Sequence, residues 1–239
     1  MTLLPTLNRL KLLENFLKSA IYYETSTPGM IIVDCDDWNK NRTQYEALTL
    51  PKDWTFFVSN SVKMGDKIRE VFPHIPAGTK WVNILNDDHV ICTKNWDTKL
   101  VAKLDGTNFV TCNDRWMSPR KAAGATMFSM PLLEAVGFPI YPEGMRHLFI
   151  DDLWESIAYG TGIWDIDHSV VIEHHNQLKT PANRDNTFYE VYGRGPDLTQ
   201  HPMWQNDQKV YQDFMKNDYM AVRNKIRKLR GQSEIKLQS

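Results

Sequence analysis

The stretch Trp81-Val82-Asn83-Ile84-Leu85-Asn86-Asp87-Asp88-His89 constrains the fold more than any other part of the chain. A short apolar run that stops at polar residues reads as a buried strand. The C-terminal ends of strands are where open α/β sheets hold their ligands. Two adjacent carboxylates repel each other unless a positive charge lies between them, and a divalent cation is the usual solution. The stretch therefore predicts a metal site at a strand end, with something anionic held there.

The flanking sequence supplies the rest of such a sheet. Leu3-Leu4 makes a very short first strand ended by Pro5-Thr6, and Leu10, Leu13, Phe16, Leu17 and Ile21 recur at helical spacing. Pro28-Gly29 breaks that helix; Met30 to Val33 forms a second strand that runs into Asp34-Cys35-Asp36-Asp37. A short helix over Arg42 to Leu48, a strand over Trp54 to Val58 and a helix over Asp66 to Phe72 follow. Trp96 to Leu104 reads as helix and Phe109 to Cys112 as strand. This alternation predicts an α/β fold with a mostly parallel sheet covered on both faces. Beyond about residue 115 the pattern loosens: a strand near Ala125 to Phe128, helices over Pro131 to Val136 and Asp151 to Tyr159, and a last strand over Ser169 to Glu173. Glu190 to Thr199 reads as loop, and Asp207 to Arg230 as one long helix with a basic end. The expected organisation is one domain over residues 1–205 carrying a basic helical extension over 206–239.

Composition removes several function classes. The formal net charge of −1 excludes a polyelectrolyte binder of the whole chain, and no apolar run approaches the ~20 residues that span a bilayer. Cys35, Cys92 and Cys112 are odd in number and widely spaced, which fits reduced thiols in a cytoplasmic protein and offers no Cys-x-x-Cys zinc pattern. Met1-Thr2-Leu3-Leu4-Pro5 lacks the basic start and long apolar stretch of a signal peptide.

Acid and histidine clusters fall repeatedly at element ends: Asp34/Asp36/Asp37, Asp87/Asp88, Asp151/Asp152 and His174/His175. Any one of them reads equally as a helix cap or a solvated loop. Four of them on one sheet point to a site.

The order Pro5-Thr6-x-Asn8-Arg9, then strand-Asp34, Asn86-Asp87-Asp88, Trp96-Asp97, Gly137-Phe138, Asp151-Asp152 and Glu173-His174 resembles the family 2-like glycosyltransferases of GT-A fold, in particular the short versions found in bacteriophages. The resemblance covers roughly residues 3 to 190. It implies a Rossmann-like nucleotide-binding sheet, a nucleotide-sugar donor (a UDP-sugar above all), and Mn²⁺ or Mg²⁺ to offset the charge on the departing diphosphate. Asp88 matches the last acid of the family's Asp-x-Asp motif and becomes the first metal ligand, with Asp87 supporting it or touching the ribose. His174 matches the late histidine that completes the metal shell, and His175 is the alternative. Asp152, then Asp151, matches the carboxylate that takes the proton from the acceptor hydroxyl in inverting members. Thr6, Asn8, Arg9, Asp34, Asp36 and Gly65 match the nucleotide side. Trp116 reads as a stacking platform or as core. Arg115, Arg120, Lys121 and the basic tail read as solvated faces or as phosphate contacts. The phage-like pattern adds an acceptor hypothesis, a hydroxymethylated or already glycosylated DNA base that would be flipped out of its duplex. Two other readings compete. One is a metal-dependent phosphohydrolase or nuclease, and the other a non-catalytic nucleotide-binding protein of the same fold.

Overall fold

The computed structural model describes residues 1–115, 125–175, 189 and 197–235. Trp116, Arg120, Lys121, Gly124 and residues 190–196 lie outside the described residues. In chain order the elements are β1 (Thr2–Thr6), α1 (Leu10–Tyr22), β2 (Gly29–Asp34), α2 (Cys35–Glu46), β3 (Trp54–Ser59), α3 (Met64–Val71), β4 (Trp81–Ile84) and β5 (His89–Ile91). They continue as α4 (Trp96–Val101), β6 (Phe109–Asn113), β7 (Thr126–Ser129), α5 (Met130–Val136), α6 (Ile150–Ala158), β8 (Trp164–His174), α7 (Pro202–Asn217) and α8 (Tyr219–Leu229).

One eight-stranded sheet runs β3-β2-β1-β4-β7-β6-β8-β5. Its first four strands pair in parallel, as the alternating pattern predicts. The second half departs from a mostly parallel sheet: β7 is antiparallel to both β4 and β6, β6 is parallel to β8, and β5 is antiparallel to β8. Alternate residues of the strands face opposite ways, so Leu3 and Ile32 enter one core while Leu4, Ile31 and Val33 enter the other. The second core is closed by α1 through Leu13, Phe16 and Leu17 of the stripe read from the sequence, with Ala20 buried in place of Ile21, which is exposed. The first is closed by α5, α6 and the C-terminal helices, whose Phe214, Val222 and Ile226 are buried in it. No helix among the described residues is long and apolar enough to cross a membrane.

Pro5 sits inside β1, which has neighbours on both sides, where a missing N–H would ordinarily break a ladder. The Met1 and Leu3 carbonyls point towards β4, accepting from Asn83 and Leu85 N–H. Pro5 points the same way two residues on, and β4 has by then ended at Ile84. No ladder bond is lost, and the departing β4 chain turns through Asn86, Asp87 and Asp88 beside Thr6.

Several sequence boundaries shift for identifiable reasons. The run from Trp81 is two strands, split by the acidic turn. The last strand begins at Trp164, not Ser169, because its register with β6 jumps from Cys112↔Asp167 to Asn113↔Val171 and interrupts the alternation. The long C-terminal helix is two helices that meet at Asp218. The short helix expected from Arg42 begins at Cys35 and carries a kink at Asn41.

Gly65, in the first turn of α3, illustrates how tightly the two halves meet. Its N–H donates to the Arg146 carbonyl at 2.7 Å. A Cβ there would lie 2.2 Å from the Met145 carbonyl oxygen. Gly65→Ala is therefore expected to lower stability by about 1–3 kcal/mol through overpacking against backbone, read as a lower urea midpoint with unchanged slope.

Candidate metal and nucleotide site

Burying two neighbouring carboxylates without partners is prohibitive, so the surroundings of Asp87 and Asp88 reveal what the turn is built to do. Asp87 accepts a hydrogen bond from Thr6 Oγ1 at 2.7 Å, and Arg9 Nη1 lies 3.4 Å from its other oxygen. The same guanidinium stands 4.0 Å from Asp88 Oδ2. Burial pushes the Asp87 carboxyl up to about 6, with the Asp88 charge adding to the effect and Arg9 and Thr6 opposing it. Asp88 moves the other way: burial works against ionisation, but His174, His89 and Arg9 together hold it below the usual carboxylate range. Asp87 is thus tied to Thr6 and Arg9, and Asp88, also buried, is turned towards His174.

What Asp88 faces is His174. Strand β5 pairs antiparallel with the end of β8 in the register His89↔His174, and the His175 N–H donates to the Asp88 carbonyl at 2.9 Å. This staple brings His174 Nε2 to 3.4 Å from Asp88 Oδ1. Adjacent strand residues project to opposite faces, so His175 points away and meets Glu173 at 3.2 Å in an exposed pair. The sequence left His174 and His175 open; the register turns His174 towards Asp88.

His89 completes a group in which one ligand atom each from Asp88, His89 and His174 lies within 4.8 Å of the others. Its chemistry differs from that of its neighbours. His89 Nδ1 accepts the Asn86 N–H at 3.1 Å, so the neutral ring carries its proton on Nε2 and has no lone pair to offer. Burial, reinforced by His174, lowers its pKa to about 3 and keeps it neutral. The His89 ring meets His174 edge-on at 4.6 Å between centroids, which fixes the orientation of the His174 imidazole. One carboxylate oxygen and one imidazole nitrogen, held face to face, suit a divalent cation that takes oxygen ligands and tolerates nitrogen.

Beside this cluster lies a second polar network at the ends of β1 and β2. Asp34 caps α2 by accepting the Asp37 N–H at 2.9 Å. Its other oxygen faces the buried Lys67 Nζ at 3.6 Å, and Lys67 donates to the Thr6 carbonyl at 2.6 Å. Burial lowers the Lys67 pKa, and Asp34, Asp37 and Asp87 oppose that shift. Asp37 collects the Asn8 N–H at 2.7 Å, Asn41 Nδ2 at 2.7 Å and the Tyr45 hydroxyl at 2.6 Å. Asn8 itself takes a left-handed conformation, φ 54°, which aims its N–H inward at that carboxylate. The β1–α1 loop carrying Asn8 and Arg9 is thereby fixed from below.

The predicted residues thus fall into groups. Thr6, Arg9, Asp87, Asp88 and His174 converge. Asn8 and Asp34 belong to the supporting network. Asp36 is exposed on the first turn of α2, because α2 starts at Cys35 and its rotation turns Asp37, not Asp36, inward. Gly65 has a packing role against the 145–146 backbone. Asp151 and Asp152 occupy the first turn of α6, partly buried, after a left-handed Phe149. Sequence reading missed Lys67 and His89. The signal for Lys67 was present: it shares the stripe of Met64, Ile68 and Val71, so a charge stands at a core position.

No protein-family model matches the chain, and no curated protein matches it. Solved structures do. TarS of S. aureus superposes with a TM-score of 0.51 at 14% identity, over 96% of this chain and 52% of that one. GalNAc-T7, solved with UDP, GalNAc and Mn²⁺, gives 0.53 at 10% identity, over 90% of this chain and 54% of that one. The fold is GT-A. A mycobacterial protein gives 0.52 at 12% identity over 80% of this chain and 69% of that one. The chain spans about half the length of TarS and GalNAc-T7.

Lys67 and Asp34 are buried together, and removing one partner of such a pair leaves an uncompensated charge. Lys67→Met is expected to cost about 3–5 kcal/mol in urea unfolding. Adding Asp34→Asn in the same chain should recover part of that loss, and a simple sum of the two single effects would show that the pair is not coupled.

Proposed function

We propose that this protein is a metal-dependent glycosyltransferase that moves a sugar from a nucleotide-sugar donor, a UDP-sugar, to an acceptor hydroxyl with inversion. The observation that carries the reading is the Asp88–His174 pair, 3.4 Å apart at the ligand-bearing edge of a GT-A sheet and backed by a buried Asp87 that is already partnered. GalNAc-T7, solved with UDP and Mn²⁺, shares the fold and supports the choice of nucleotide and of Mn²⁺ over Mg²⁺; the imidazole in the pair argues the same way.

Asp88 and His174 would hold the cation, which when bound supplies positive charge against the diphosphate leaving group. Arg9 stands over both carboxylates and adds a fixed cation on the same side. Thr6, Asn8 and the Asp34–Lys67 network shape the ledge on which the nucleoside rests. Asp152, with Asp151 behind it, serves as the base: a carboxylate on the first turn of α6 accepts the acceptor's proton as its oxygen attacks the anomeric carbon and the nucleoside diphosphate leaves from the opposite face.

Two-metal hydrolysis fits less well. It needs carboxylates shared between two cations roughly 4 Å apart, whereas Asp87 is bonded to Thr6 and Arg9, leaving one cation shell among the described residues. For the acceptor, two of the C-terminal arginines are spent internally: Arg227 donates to the Ser233 and Gly160 carbonyls, and Arg230 to Thr107. Modified DNA therefore enters as one arm of an acceptor screen beside sugars and peptides.

A panel of nucleoside diphosphates and nucleotide sugars, with and without Mn²⁺, tests the reading by thermal shift. UDP with Mn²⁺ is expected to raise Tm in a concentration-dependent way, equivalent to about 2.7 kcal/mol at a hundredfold excess over Kd. Asp88→Asn and His174→Gln should each remove the Mn²⁺-dependent part. Asp152→Asn should keep that binding and lower transfer by about 10²–10⁴-fold. A panel without any stabilising nucleotide, or full transfer by Asp152→Asn, would count against it.

A further inference from the structure

Residues 142–148 form the loop that delivers α6, and its backbone is gripped from two sides. From α3, Arg69 Nη1 donates to the carbonyls of Pro142 at 2.6 Å and Met145 at 3.0 Å, and the Gly65 N–H holds that of Arg146 at 2.7 Å. From α7, the fully buried Asp207 accepts three consecutive backbone N–H groups: Arg146 at 2.9 Å, His147 at 2.8 Å and Leu148 at 2.7 Å. Asn206 Nδ2 braces that carboxylate at 2.8 Å and reaches the Gly144 carbonyl at 2.9 Å. One residue later Phe149 turns left-handed with φ 61°, and α6 begins with Asp151 and Asp152 in its first turn.

A buried carboxylate satisfied by three backbone N–H groups is strongly held, and an apolar residue in its place would leave those amides without their acceptor. The carboxylate thus fixes the path of the backbone that leads into α6. The last of the three amides, Leu148, is separated from Asp151 by two residues, so a slip of this loop would be passed to the start of α6. The expected C-terminal extension therefore reaches back to the site through its second residue, Asp207.

We propose that Asp207 is a positioning residue, clamping the 146–148 backbone so that Asp151 and Asp152 stand where the acceptor hydroxyl is deprotonated. This rests on the transferase reading of Asp152. Asp207 is spent on backbone N–H groups and is not among the residues read as holding donor or cation, so its loss is expected to lower turnover and spare donor binding.

The test is Asp207→Asn in the full chain, which turns an NH₂ group against one or two of the amide donors. Turnover with the donor found above should fall by about 10–100-fold, the cost of misplacing a reacting group by about 1 Å. KM for the donor and the thermal shift with UDP and Mn²⁺ should stay at wild-type values. Hydrogen exchange should speed up at Arg146 to Asp152 and stay unchanged in the peptide carrying Asp87 and Asp88. Should Asp207→Asn fail to fold, Asn206→Ala removes the brace and the Gly144 contact but leaves the carboxylate, and should show the same split with a smaller fall. Wild-type turnover in the folded variant, or loss of UDP–Mn²⁺ binding in proportion to turnover, overturns the proposal. A wild-type protein that transfers nothing overturns the transferase reading instead. In that case exchange alone decides: faster exchange at Asp151 and Asp152 upholds the clamp, and unchanged exchange refutes it.

Discussion

Two carboxylates on consecutive residues, both buried, cannot be left to repel one another. The molecule resolves that conflict asymmetrically. Asp87 is surrounded by Thr6 and Arg9 and drawn towards protonation, while Asp88 is kept ionised and turned towards His174. Much of the architecture around the site follows from that division. β4 stops early so the acidic turn can form. Pro5 occupies the place where its missing N–H costs nothing, and β5 pairs back onto β8 so that an imidazole arrives opposite Asp88.

The supporting network obeys the same electrostatic logic one step further from solvent. Lys67 balances Asp34, and Asp37, held by Asn41 and Tyr45 of its own helix, takes the Asn8 N–H of the loop bearing Arg9. On the α6 side Asp207 likewise accepts loop backbone, three N–H groups from residues 146–148 where Asp37 takes one from Asn8. Rigid loops on a sheet edge hold reacting groups to the tolerance that group transfer demands.

The fold's first half was legible because its strands are apolar runs ended by acids and its helices carry regular stripes. The second half was less so. β5 is three residues long and exists only through pairing with β8, and the β8 register jump hides its first half from any period-2 reading. At the site, Asp87 and Asp88 stood out by residue type, whereas Thr6 and Arg9 were reached only through the family resemblance. Choosing His174 over His175, or Asp37 over Asp36, depends on which way a strand or helix turns a side chain. A one-residue difference in register decides that, and local sequence does not carry it. Lys67 and Asp207 went unread although each stands on the apolar stripe of its helix, Lys67 beside Ile68 and Val71, Asp207 in line with Met203 and Phe214.

The central claim is that Asp88 and His174 share one cation that carries a nucleoside diphosphate. Pulsed electron paramagnetic resonance of the Mn²⁺–UDP complex reads it most directly, because an imidazole ligand imprints nitrogen modulation on the Mn²⁺ echo. The account predicts that modulation in the wild-type complex and its disappearance in His174→Gln. An Mn²⁺ echo without nitrogen coupling in the wild type, or one that survives the substitution, would contradict it.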